Sequence, residues 1–68
     1  MNKGLLKKLN EDKEELSFKI IKLESFLEDC KNETIIKPEQ WFLMKRQVKA
    51  MREYETILRI RIKMLKSN

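Results

Sequence analysis

Tyr54 and Arg61 stand seven residues apart, and Gln47 and Gln40 continue the same file upstream. A guanidinium is a planar fork of donors that suits a phosphate or a carboxylate, and a phenol ring offers a face for stacking. The file runs through the middle of an apolar helix face. Leu43, Ala50, Ile57 and Met64 lie on one side, with Met44, Met51, Leu58 and Leu65 on the other, extended by Trp41, Val48 and Ile62. A guanidinium buried there needs an anionic partner. Two readings stay open. In the structural one, Arg61 pairs with Asp12 or Glu11, Tyr54 bonds a neighbour, and the glutamines set register. In the functional one, Arg61, Tyr54, Gln47 and Lys13 line a ligand pocket at a subunit interface, and Arg61 and Lys13 take phosphates.

A second pattern could attract anions. Lys45, Lys49, Arg52, Thr56, Arg59, Lys63 and Lys66 follow helical steps of four and three with no acid among them. Residues 37–68 carry nine Lys/Arg against three Asp/Glu, whereas residues 1–36 carry seven against eight. Lys49, Arg52, Arg59 and Lys63 are therefore candidate ligand contacts on one cationic ridge. The plain alternative is a solvated face. The ridge has no interleaved aromatics for base stacking and no turn of the helix-turn-helix kind, which argues against sequence-specific DNA reading.

Other chemistry is poorly served. The chain has no His, one Cys and one Gly, so it lacks the usual general base, a zinc ligand set and a phosphate-cradling loop. We expect no enzyme, no cofactor and no metal. Cys30 reads as a small core residue. The pairs Glu14/Glu15 and Glu28/Asp29 are adjacent in sequence and so do not face each other on a helix.

The elements that carry these files are two long helices. The first is expected over about residues 3–31, with a stripe of Leu6, Leu9, Lys13, Leu16, Ile20, Leu23, Leu27 and Cys30. A turn over 32–37 ends at Pro38, which suits a first helical turn and holds Lys37 extended. The second helix is expected over about 38–66. A short connection makes the two antiparallel, with Trp41 against the end of the first. The fold class is thus all-α: a long antiparallel two-helix hairpin.

Sixty-eight residues form one small domain, which needs a staple beyond its own core. A single cysteine excludes a disulfide framework, so oligomerisation is the natural answer. The second helix is apolar over more of its surface than one partner covers, and Phe18, Ile21 and Phe42 add to the excess. The expected assembly is a homo-oligomeric helical bundle, a dimer or larger. No signal peptide and no apolar run of membrane-spanning length is expected, and a free thiol fits the cytoplasm.

The run Gln47-x-x-x-Met51-x-x-Tyr54-x-x-Ile57-Leu58-x-x-Arg61-Ile62 resembles a family of small helical-hairpin proteins of tailed bacteriophages, including crAss-like ones. Lys22-Leu23-Glu24-x-Phe26-Leu27 is similar to the first helix of that family. Lys37-Pro38 departs from the Ser-rich helix start of the family. Small oligomeric phage proteins with basic pockets include sponges of the Lockin and Sequestin kind, which sequester nucleotide immune signals. By that analogy the resemblance implies a phage counter-defence protein that sequesters a phosphorylated nucleotide in the host cytoplasm. A protein-binding inhibitor that docks the basic ridge on an acidic or nucleic-acid-binding face of a host enzyme is the second reading. A structural or nucleic-acid-associated phage protein is the third.

Overall fold

The computed structural model describes residues 3–30 and 36–67. Two helices make up the fold: α1, Lys3–Cys30, and α2, Pro38–Lys66. They pack side by side as a hairpin with extents of 51 × 14 × 12 Å. Residues 31–35 of the expected turn lie outside the described residues.

Local chemistry sets the ends of α2. Lys37 is extended, with φ −66° and ψ 145°, and Pro38 follows it at the helix start. Pro has a fixed φ and no N–H, which suits a position where that donor has no helical partner. The Trp41 amide donates to the Lys37 carbonyl at 3.0 Å and closes the first turn. Glu39 in the first turn and Lys63 and Lys66 in the last complement the helix dipole. At the far end the Ser67 amide donates to the Lys63 carbonyl at 3.1 Å, and its hydroxyl to the Met64 carbonyl at 3.0 Å.

The seam holds two apolar clusters. Toward the open end, Leu9, Leu58 and Ile62 are buried, with Leu6, Leu16 and Leu65 against them. Toward the turn, Ile20, Leu27 and Val48 are buried among Leu16, Leu23, Trp41, Met44 and Met51. Burying one such side chain fully is worth about 1.5–3 kcal/mol. Cys30 is buried at the end of α1, as its place on the stripe implies.

The broad apolar face of α2 is not one face. The hairpin covers the file Met44, Met51, Leu58 and Leu65 together with Trp41, Val48 and Ile62, all buried or half-buried. Leu43, Ile57 and Met64 stay 52%, 44% and 63% exposed. The file Gln40, Gln47, Tyr54 and Arg61 lies between the two and is exposed throughout. Within a single hairpin the partner helix covers only the arc on one side of this file.

The core predicts an unequal response to truncation. Leu58→Ala should lower the unfolding free energy by about 2–5 kcal/mol. Phe18→Ala, on the outer face of α1, should change it by about 0.5 kcal/mol or less. Urea unfolding followed by circular dichroism checks this, and equal effects at the two sites would contradict the seam.

Candidate functional site

The seam has a polar layer that the apolar stripes do not announce. Glu55 occupies a seam position of α2, three before Leu58 and four after Met51. Its side chain is only 14% exposed. The Ser17 hydroxyl of α1 donates a hydrogen bond to it, which meets the need of a carboxylate held largely out of water. One helical turn away on α2, Arg59 Nη2 approaches the same carboxylate at 3.8 Å. The step of three and four residues that runs through Met51, Glu55 and Leu58 was the available signal for Glu55.

The same edge of the hairpin carries the main ion pair. Arg52 Nη2 lies 2.5 Å from Glu24 Oε1, and its Nε donates to Oε2 at 3.2 Å. The hydrogen bond to Glu24, and then the charge of Glu24, push the Arg52 pKa above its ordinary value. Nearer the turn, the Trp41 indole N–H donates to the Leu27 carbonyl at 3.2 Å, and Lys45 Nζ sits 4.8 Å from the Trp41 ring centre. Glu24, Glu28, Trp41 and Lys45 share a shallow groove there.

These contacts correct the expectation of an unbroken cationic ridge. Read along α2 alone, the ridge has no acid. Folding brings Glu24 of α1 onto Arg52 and leaves Glu55 beside Arg59. The ridge is neutralised at its centre, and its charge is concentrated toward the open end.

There the structure brings three of the sequence-selected residues together. Lys13, Arg59 and Lys63 line one concavity of about 260 Å³, with Lys66 and Ile62 completing it. Its lining has four cations and no acid. Lys13 is half-buried on the seam side of α1, and among the described residues it forms no ion pair. Lys66 stood on the ridge in sequence, and only the hairpin shows that it faces Lys13.

The remaining selected residues are elsewhere. Gln47 lies on the opposite edge, in a groove with Lys19, Lys22, Leu23, Phe26 and Met51. Arg61 lies on that edge too, with Leu5, Leu9, Met64 and Leu65. Tyr54 is half-exposed between them, and Lys49 is exposed on the outer side of α2. Arg61 does not pair with Asp12, whose Oδ1 is instead 4.0 Å from Lys8 Nζ within α1. The hairpin therefore separates Tyr54 and Arg61 from the cationic concavity.

The family model described as Sequestin matches residues 3–64. The chain belongs to the Sequestin family. The match takes in all of α1, all but the last two residues of α2, and three of the four cations of the concavity. No curated protein and no solved structure matches this Sequestin-family chain. Among the described residues no cluster of acids and Cys could hold a metal, and no helix is long and apolar enough to cross a membrane.

The two polar arrangements are separable by double-mutant cycles on stability. Ser17→Ala with Glu55→Gln should show a coupling of about 0.5–3 kcal/mol, because the groups are in contact. Arg61→Met with Asp12→Asn should be additive within about 0.5 kcal/mol. A large coupling in the second cycle would restore the Arg61–Asp12 pair.

Proposed function

We propose that this Sequestin-family chain binds a phosphorylated nucleotide in the concavity of Lys13, Arg59, Lys63 and Lys66 and holds it without altering it. The observation that carries this reading is Lys13: an ammonium set on the seam side of a helix, sharing a concavity with three further cations, of which Arg59 alone has an acid, Glu55, beside it. Taking cations partly out of water costs free energy unless an anion compensates. A phosphate or pyrophosphate does so with charge-assisted hydrogen bonds to several of the four at once. Ile62, at the floor, gives an apolar wall for a sugar or base edge.

The family name, which speaks of sequestration, supports binding rather than turnover. The absence of His from the sequence supports the same view, since the usual acid–base side chain is missing. In this reading the protein is a phage counter-defence sponge in the host cytoplasm. It removes an immune signal by mass action, so it must be abundant relative to the signal, and it works as a homo-oligomer.

Calorimetric titration with mono-, di- and cyclic nucleotides and with inorganic pyrophosphate tests the proposal. The expected result is saturable binding that depends on nucleotide identity, with the ligand recovered intact. Lys13→Gln combined with Lys63→Gln should weaken it at least about tenfold, since each hydrogen bond to a charged group is worth about 1.5–3 kcal/mol. Helicity should be unchanged. Binding that ignores nucleotide identity and falls steeply with salt would instead mark a general polyanion binder and overturn the reading.

A further inference from the structure

Two arginines on the polar edge of the hairpin are held in different ways. Arg52 is committed: its Nη2 lies 2.5 Å from Glu24 Oε1 and its Nε donates to Oε2, so both oxygens of one carboxylate are taken. Arg59 is not. Its Nη2 stands 3.8 Å from Glu55 Oε1, beyond the roughly 2.7–3.2 Å of an N–H···O hydrogen bond. The reason lies on the other helix. The Ser17 hydroxyl donates to Oε2 of the same carboxylate and anchors it toward α1. The Glu55 side chain is 14% exposed and that of Arg59 60%, so the carboxylate is the fixed partner and the guanidinium the movable one.

We infer that Ser17 and Glu55 set the specificity of the cationic concavity: Glu55 is a built-in competitor for Arg59, and Ser17 limits how closely that competitor can pair. Given the phosphate-binding reading of Lys13, Arg59, Lys63 and Lys66, on which this rests, the pair decides which anions the site accepts. An incoming group must draw Arg59 from a carboxylate already in place. A carboxylate ligand offers the same single charge and gains little by the exchange. A phosphoryl group carries more charge and three strong acceptor oxygens, so it wins. The concavity therefore favours ligands with two or more phosphoryl groups over polycarboxylates of similar total charge.

Ser17 and Glu55 act in opposite senses, although they share one hydrogen bond. With the hydroxyl gone, Oε2 is released and the carboxylate turns both oxygens onto Arg59, as Glu24 does on Arg52. The guanidinium is then withheld from the ligand. With the charge of Glu55 gone, Arg59 has no competitor and the concavity loses the negative charge beside it. A pair that only joined the helices would behave otherwise. Loss of either member would loosen the same seam and move binding in the same direction.

Calorimetric titration of the full chain with inorganic pyrophosphate and with citrate tests it. The parent should bind pyrophosphate more tightly than citrate. Glu55→Gln keeps an acceptor for Ser17 and should bind pyrophosphate about fivefold more tightly, the scale of one unit charge a few ångströms away in water. Citrate should gain more, so that the preference narrows. Ser17→Ala should weaken pyrophosphate binding, and Ser17→Thr, which keeps the hydroxyl, should match the parent. Ser17→Ala combined with Glu55→Gln should match Glu55→Gln alone, because a neutral amide has no charge with which to claim Arg59. Circular dichroism should show helicity kept throughout. If Ser17→Ala loses helicity, the two affinities of Glu55→Gln decide by themselves. Single variants that move affinity in the same direction, or that leave it unchanged, would overturn the inference and leave the site standing. A parent that binds no pyrophosphate would remove the site itself, and the inference with it.

Discussion

The carboxylate of Glu55 sits between the two apolar clusters of the seam, and its bond to Ser17 is a constraint on how the helices align. Apolar stripes tolerate sliding by a helical turn, since one leucine replaces another. A carboxylate is less tolerant, because a slip of one turn toward the closed end would carry it from the Ser17 hydroxyl to Ile20 or Ile21 with no donor, and a slip the other way would carry it to Lys13. A carboxylate held largely out of water costs free energy when it has no donor, and a small domain has little to lose. Glu24 and Arg52 set the same alignment from the rim, where water weakens the pair. Given this register, Lys13 meets Arg59, Lys63 and Lys66 and not some other turn of α2.

Much of this was readable from the chain. Steps of three and four in both halves, with Pro38 between them, give two helices and their inward residues, and the packing of Leu9, Ile20, Leu58 and Ile62 follows from those steps. Two things were not readable, for definite reasons. The arc that appeared as one face with a polar centre is two faces, because the width of a stripe in sequence does not say how much of it a single neighbour covers. The ridge appeared free of acids because only one helix was counted, and neutralisation comes from the other helix. Glu55 escaped notice because the stripes were traced through apolar residues alone. The candidate contacts fared unevenly for the same reason. Lys13, Arg59 and Lys63 converge across the seam, whereas Tyr54, Gln47 and Arg61 follow their own file to the far edge.

The surface is unusual for so small a protein. Among the described residues, large apolar side chains that are exposed outnumber the hydrophobic residues that are buried. A lone hairpin built in this way is marginal, since its single seam must offset the conformational entropy of two long helices. Self-association would add buried area without lengthening the chain, and it would make stability depend on concentration. Under the proposed sequestering function the protein would be needed at high concentration, the same condition that would favour an associated, folded form.

Trp41 is the single tryptophan of the chain. It is tied to the closed end by its bond to the Leu27 carbonyl and by the Lys45 ammonium over its ring. It stands about 37 Å along α2 from the cations near Lys66, at 1.5 Å per residue. Its fluorescence therefore works as a private gauge of whether the helices are zipped at the turn, blind to what occupies the far end. Separation of the helices near Trp41 can thus be timed by light in the same sample in which heat reports on an anion added to test the far end.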